Sequence, residues 1–168
     1  MGSLDNIRNA TVQMLKFKSK PGQVDYSKVR WAPVINCVLR YRGKILLVQR
    51  SKKLNFYPGY WNGVSGFLDD KRRLKEKVRD ELREELGMLA KNIRKIELGE
   101  IFHQDSTKYQ KTWIVHPVLV DVSTDKIILD WEAQDYTWVS LKEIKLLKLL
   151  PGFFDVLKRL FPQMRKEI

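Results

Sequence analysis

Cysteine is nearly absent from this chain of 168 residues, in which Cys37 is the only one. A single cysteine excludes an intramolecular disulfide framework and a zinc site built from several thiolates. No run approaches the roughly 20 apolar residues of a membrane-spanning helix, and the first residues lack the apolar segment of a signal peptide. We therefore expect a cytoplasmic protein with no membrane partner.

Acidic residues are outnumbered by basic ones, and this imbalance favours negatively charged partners. The 32 lysines and arginines and the 20 aspartates and glutamates give a formal net charge of +12. Such a surplus suits a polyanionic small molecule; it is also compatible with nucleic acid but does not require it. The oligomeric state is left open, and a homodimer is one possibility.

The length and the hydrophobic content predict one domain. Hydrophobic residues make up 43% of the chain, which suffices for a packed core without covalent staples. We expect a single domain over residues 31–168. An N-terminal extension over residues 1–30 precedes it, with at most one strand near Thr11–Phe17.

The strongest local patterns are a hairpin and a helix. Strands are predicted at Ala32–Tyr41 and Ile45–Arg50, separated by the turn signal of residues 42–44. The segment Lys71–Leu86 contains no proline or glycine, repeats an aliphatic residue every four positions and ends before Gly87. This pattern predicts a helix with a glycine C-cap.

Weaker patterns complete the layout. Residues 55–62 place Pro58-Gly59 among four aromatic residues and predict a loop. Further strands and helices are predicted at Ile93–His103, Thr112–Val122, Lys126–Leu129, Asp135–Val139, directly after Ser140, and at Phe153–Leu160. This order predicts an α+β fold with a mixed sheet between helices.

Three glutamates on the predicted helix are the main candidates for chemistry. Glu81, Glu84 and Glu85 are spaced i, i+3 and i+4 and share one helix face, and Glu85 falls within the apolar stripe. Converging carboxylates repel one another unless a divalent cation neutralises them, and oxygen ligands suit Mg²⁺ or Mn²⁺. From composition alone, the simpler alternative is a solvated face on which these glutamates pair with neighbouring arginines.

The sequence around these glutamates resembles the Nudix box, G-x5-E-x7-R-E-U-x-E-E-x-G-U, where U is aliphatic. Gly66 matches its first position, and residues 81–88, ELREELGM, match its second half without a gap. Flanking segments also resemble Nudix hydrolases, so that the resemblance covers about residues 32–150. It implies a Nudix-like mixed β-sheet sandwiched between helices, with Gly66 and Gly87 as structural positions of the box.

Two positions depart from the box, and their charges are exchanged. Arg72 stands where the family has glutamate, and Asp80 stands where it has arginine. In the family this pair helps to hold the loop and the helix in place. We expect an ion pair between Arg72 and Asp80 to preserve that geometry. Alternatively, Asp80 pairs with Lys77 or Arg83 on its own helix.

The resemblance implies a hydrolase that uses Mg²⁺ or Mn²⁺ to cleave a nucleoside diphosphate linked to another group. The metal ligands would be Glu81, Glu84, Glu85 and the backbone carbonyl of Ser65, and water would attack phosphorus. The general base would be a box glutamate, Glu81 or Glu84, or Glu132 on a later loop.

Three further residues are candidates for substrate binding. Arg50 would clamp a phosphate, although a surface role is nearly as plausible for an arginine at a strand end. Tyr57 and Trp61 would stack on a base, whereas aromatic residues in such a loop are also typical of a core. His103 and His116 are isolated and are interpreted as structural.

Two other functions stay open. A non-catalytic Nudix module would bind a nucleotide or RNA through its lysines and arginines. The retained box glutamates argue against it, because loss of activity would remove the reason to keep three mutually repelling acids. An isoprenoid diphosphate isomerase shares the fold but needs a catalytic cysteine, and Cys37 lies far upstream of the box.

Overall fold

Two long parallel strands form the centre of an eight-stranded mixed sheet. The computed structural model describes residues 20–166, so the strand predicted near Thr11–Phe17 lies outside them. Strand β1 spans Trp31–Tyr41, and β7, Lys111–Val122, runs beside it from the pair Trp31↔Thr112 to the pair Arg40↔Asp121. The other strands are β2 Lys44–Arg50, β3 Trp61–Asn62, β4 Val64–Phe67, β5 Ile93–Leu98, β6 Phe102–Ser106 and β8 Ala133–Val139.

Each central strand divides its free edge between two antiparallel partners. The first half of β1 pairs with β4 and its end pairs with β2 across the hairpin turn, while β7 pairs first with β6 and then with β5. Strands β3 and β8 both pair with β2. Because β3 pairs with β2 and β4 pairs with β1, the chain changes its pairing partner between Asn62 and Val64. The predicted helix comes after β4.

Helices cover both faces of this sheet. Helix α1, Leu74–Leu86, packs Val78, Leu82 and Leu86 against Ile35, Cys37 and Leu39 of β1 and their neighbours. Helix α2, Phe153–Leu160, packs on the opposite face, together with short 3-10 turns at Glu143–Leu146 and Pro162–Lys166. Successive side chains of β1 point to opposite faces of the sheet and pack into the hydrophobic cores under α1 and α2. This is expected of a strand that is buried on two faces. The predicted α+β fold, a mixed sheet between helices, is confirmed.

Helix α1 begins three residues later than predicted, at Leu74. The preceding turn is closed by Asp70, whose Oδ1 accepts a hydrogen bond of 3.0 Å from the Arg72 backbone N–H. An aspartate that binds the backbone two residues ahead stabilises a turn in place of a helix. The predicted end is confirmed: Gly87 has φ 63°, and the N–H groups of Gly87 and Met88 donate to Arg83 and Leu82.

Three local predictions were wrong. The strand predicted over Ile93–His103 is two strands, and the break falls opposite Pro117, which has no N–H to offer a continuous ladder. Residues 126–129 form no strand, because the Ile128 N–H donates instead to the Leu86 carbonyl at the end of α1, at 3.0 Å. The helix predicted after Ser140 is reduced to the 3-10 turn Glu143–Leu146. Among the helices of residues 20–166, none combines the length with the hydrophobicity of a transmembrane span.

The left-handed conformation of Gly87 predicts a measurable cost for a side chain there. An added Cβ would lie 3.2 Å from Ile128 Cβ, and left-handed backbone costs a non-glycine residue about 1–2 kcal/mol. We expect Gly87→Ala to lower the free energy of unfolding in urea by about that amount. Gly87→Asn, whose side chain tolerates this conformation better, should cost less. Equal stability of Gly87→Ala and the wild type would contradict this account.

Candidate active site

Helix α1 divides its three box glutamates between two hollows. Glu81 and Glu85 line a cavity of about 1090 Å³ between β4, the loop of residues 55–57 and the loop before β8. Glu84 is exposed and lines a smaller hollow of about 440 Å³, which Glu81 also borders. The three glutamates therefore share a helix side but do not meet at one point.

A cluster of three carboxylates forms where Glu132 joins Glu81 and Glu85; it is called the acidic cluster below. Glu85 is buried, and the three residues line the same cavity. Burial, followed by the charges of Glu132 and Glu81, raises the pKa of Glu85 well above its ordinary value. Burial also raises the pKa of Glu132. One oxygen of Glu85, Oε1, is buried and has no hydrogen-bond partner.

The loop that delivers Glu132 is fixed to the end of helix α1. The Asp130 N–H donates to the Glu85 carbonyl at 3.2 Å, and the Glu132 N–H donates to Asp130 Oδ1 at 2.9 Å. The free carbonyls at a helix C-terminus thus anchor this loop. Of the two neighbouring aspartates, Asp130 accepts the hydrogen bond from the Glu132 N–H, and Asp135 is an exposed residue of β8.

Arg50 provides a positive charge in the same cavity. Its Nε donates to the Phe56 carbonyl at 3.0 Å, and its Nη1 donates to Ser65 Oγ at 3.4 Å. Burial lowers the pKa of Arg50, while the charges of Glu85 and Glu132 oppose that effect. Because an arginine stays protonated in proteins, Arg50 faces the cavity as a cation.

Strand β4 brings Ser65 and Gly66 close to helix α1. Ser65 pairs with Asn36 and Gly66 with Ile35 on β1. A Cβ on Gly66 would lie 2.7 Å from the carboxyl carbon of Glu81. A side chain at this position would therefore displace the Glu81 carboxylate, which gives the first glycine of the box a steric role.

Lys77 and Asp69 belong to the site, although the sequence analysis did not assign them to it. Lys77 Nζ lies 2.9 Å from Glu81 Oε1 and 3.3 Å from Asp69 Oδ1, and the lysine is only 5% exposed. Burial lowers the pKa of Lys77, but the bonds to Glu81 and Asp69 outweigh burial and raise it overall. The i, i+4 spacing of Lys77 and Glu81 was a usable signal.

The aromatic candidates separate into cavity and core. Tyr57 lines the cavity, and its ring lies 4.8 Å from that of Tyr109, which lines it too. Trp131, which sequence analysis did not propose, also lines the cavity and is 65% exposed. Trp61 lies elsewhere, paired with β2 and packed against the core under α2. The predicted loop of residues 55–62 ends in the two-residue strand β3, which was not predicted. This strand holds Trp61 against the core.

The donor chemistry of the acidic cluster fits a hard divalent ion. Three carboxylates with one unpartnered buried oxygen are a combination that Mg²⁺ or Mn²⁺ would satisfy. Over residues 20–166, however, no three acidic, histidine or cysteine side chains already surround a common point as metal ligands. Binding an ion would therefore require the side chains to close around it, and Lys77 already occupies one Glu81 oxygen.

A match to a known protein family covers most of this chain. The model of the NUDIX domain matches residues 30–160. This chain belongs to the Nudix family. It is a Nudix-type hydrolase, as the sequence analysis predicted from the box.

Individual Nudix proteins agree with this assignment. The Nudix hydrolase YvcI of Bacillus subtilis is 24% identical over 119 residues, which cover 71% of this chain and 72% of YvcI. The crystal structure of the MutT protein from Methanosarcina mazei has 25% identity and a TM-score of 0.66, covering 83% of this chain and 98% of that one.

A further solved structure contains ligands. It is a bifunctional NMN adenylyltransferase/ADP ribose pyrophosphatase from Francisella tularensis, complexed with AMP and a Mn ion. Its identity is 21% and its TM-score 0.64, with 95% of this chain and 47% of that chain covered. This likeness shows the shared fold.

The exchanged charges of this Nudix box do form an ion pair. Arg72 Nη1 lies 2.7 Å from Asp80 Oδ2, and Arg72 also lies 2.6 Å from Asp70. Asp80 also contacts Arg83 on its own helix, at 3.3 Å. The expected pair with Arg72 and the alternative pair with Arg83 are therefore both present. Arg72 therefore connects the turn before α1 to the helix itself.

The pKa of Asp70 tests this arrangement. Hydrogen bonds from Arg72 lower the pKa of Asp70 to about 2, below the value of about 3.9 in an unfolded chain. The ionised Asp70 therefore stabilises the folded state fully above about pH 4. This contribution to the free energy of unfolding is lost as the pH falls through the pKa that Asp70 has in the folded protein. We expect Arg72→Gln to return the Asp70 pKa towards 3.9, measured by NMR titration of the carboxyl carbon.

The exposed Arg79, on the same helix, provides the matched control. Arg79→Gln removes the same charge and should leave the titration of Asp70 unchanged. An Asp70 pKa that stays near 2 in Arg72→Gln would show that Arg72 does not hold this turn.

Proposed function

We propose that this Nudix hydrolase is a pyrophosphohydrolase that depends on Mg²⁺ or Mn²⁺ and cleaves a nucleoside diphosphate linked to another group. The observation that carries the proposal is the acidic cluster beside Arg50 in one large cavity. Carboxylates for a cation and a guanidinium for a phosphate are the two kinds of group that diphosphate hydrolysis requires.

The acidic cluster would hold the metal. Glu81, Glu85 and Glu132 offer the oxygen donors, and the unpartnered oxygen of Glu85 supports this assignment. When bound, the ion would activate water and neutralise charge on the phosphates. The Mn ion in the Francisella structure is compatible with such a site. The Ser65 carbonyl stays a predicted ligand, and Glu84 is assigned to the smaller hollow that it shares with Glu81.

Glu132 is the residue that we propose as general base. Its carboxylate lines the same cavity as Glu81 and Glu85, where it would accept the proton of the attacking water. The loop anchored to α1 holds this carboxylate in position. Glu81 is less suited to accept a proton because Lys77 already donates to it.

The cavity has the size and the lining that a nucleotide requires. Its volume of about 1090 Å³ lies just above the range of typical ligand pockets, about 300–1,000 Å³, so a nucleotide has room to bind. Tyr57, Tyr109 and Trp131 offer aromatic surfaces for a base, and Arg50 offers a contact for a phosphate. AMP in the Francisella structure supports this class of ligand.

The remaining predictions concern partners and location. A nucleic-acid partner and a homodimer stay predictions. We propose the cytoplasm as the compartment, because the single cysteine is a buried free thiol that needs no oxidising environment.

The activity itself is tested with a panel of diphosphate-linked nucleotides, with and without Mg²⁺ or Mn²⁺. We expect metal-dependent release of a nucleoside monophosphate. Glu85→Gln and Glu132→Gln should each lower kcat/KM by about 10²–10⁴-fold, the range for loss of a positioned acid–base group. Glu84→Gln should lose less, because Glu84 lies outside the large cavity.

The control is Glu100→Gln, since Glu100 is exposed and lies in neither hollow. Its kcat/KM should equal that of the wild type. Binding without turnover across the whole panel would contradict the enzyme and support a non-catalytic nucleotide-binding module.

A further inference from the structure

A buried lysine is paired with a proposed metal ligand. The side chain of Lys77 is 6% exposed, and its carboxylate partners Glu81 and Asp69 are 13% and 11% exposed. An ammonium removed from water is costly unless it is paired and hydrogen-bonded. The two short contacts, 2.9 Å to Glu81 and 3.3 Å to Asp69, supply that pairing.

The ammonium lies where the two hollows meet. Lys77 and Glu81 each line both the large cavity and the smaller hollow. A fixed positive charge about 3 Å from a carboxylate oxygen opposes the approach of a second cation to that oxygen. The proposed ligand Glu81 is thus already partly neutralised by the chain itself.

Neighbouring contacts hold Lys77 in this place. Its second partner, Asp69, accepts a hydrogen bond of 2.8 Å from Gln23 Nε2. The backbone carbonyl of Asp69 also accepts one from the Val24 N–H, at 2.6 Å. Moving the ammonium away from Glu81 would therefore require a buried and anchored aspartate to lose its counterion or move with it.

We infer that Lys77 is a resident cation that competes with a divalent ion for Glu81. The inference rests on the proposed metal-dependent function and adds that this chain binds divalent ions more weakly than its carboxylates alone would. Lys77 is a positioning residue, since it acts through Glu81. A merely structural ion pair would have no effect on metal affinity once the protein is folded.

The test is Mn²⁺ binding by the metal-depleted full-length chain, followed through the EPR signal of free Mn²⁺ at constant pH. Lys77→Gln keeps hydrogen-bonding capacity between Asp69 and Glu81 but removes the charge. We expect it to bind Mn²⁺ about tenfold or more tightly, or to bind one more ion, as expected for removal of a like charge near a ligand. Lys77→Arg retains the charge and should bind Mn²⁺ as the wild type does.

Lys75→Gln is the matched control, because Lys75 is exposed on the same helix. It removes the same net charge and should leave the affinity unchanged within about twofold, as for a screened surface charge. Because Lys77→Gln could also be less stable than the wild type, the shift in melting temperature on adding Mn²⁺ is measured for both proteins. We expect the larger shift for Lys77→Gln.

The outcomes separate this inference from the proposed function. If the wild type binds Mn²⁺ and Lys77→Gln binds it equally or more weakly, with an equal or smaller melting shift, the role of Lys77 is overturned and the metal-dependent function stands. If neither protein binds Mn²⁺, both fail.

Discussion

Burial of several carboxylates in one cavity is the constraint on which the rest of the site depends. Glu85 is the most enclosed of them, and its neighbours Glu81 and Glu132 carry the same charge. Such a cluster is stable only with protons or cations beside it. Arg50 and Lys77 supply fixed positive charge from two sides, and one oxygen of Glu85 stays unpartnered. The metal binding proposed above would satisfy this remaining demand.

One helix provides both the packing and the chemistry. The apolar side of α1 is buried on the sheet through Val78, Leu82 and Leu86, and this burial sets the rotation of the helix. The same rotation carries Glu81 and Glu85 to the rim of the cavity. Hydrogen bonds from the loop before β8 to the last turn of α1 then place Glu132 in the same cavity as Glu85.

The elements defined by local patterns were predictable from the sequence. The hairpin and the end of α1 follow from a turn signal and from Gly87, and the box located Glu81 and Glu85. The helical periodicity also placed Glu85 within the apolar stripe, and Glu85 is buried whereas its neighbour Glu84 is exposed. What the sequence could not provide is which hollow each glutamate lines, because that depends on the strands and loops that pack around α1.

Other differences have the same origin in contacts between distant segments. Trp61 joins β2 and the core, whereas Trp131 reaches the cavity, and nothing in their local sequences separates the two. The pairing of Lys77 with Asp69 depends on how the turn before α1 folds back. Residues 126–129 have a strand-like composition but bind the helix terminus, where free carbonyls compete with a sheet edge for their N–H groups.

Anomalous diffraction from crystals grown with Mn²⁺ is the most direct measurement of the central claim. The account predicts a Mn²⁺ peak bonded to Glu85 and to at least one of Glu81 and Glu132. It would be contradicted if Mn²⁺ bound only at the outer hollow beside Glu84, or at no position in the cavity, while Glu85 kept its buried oxygen unligated.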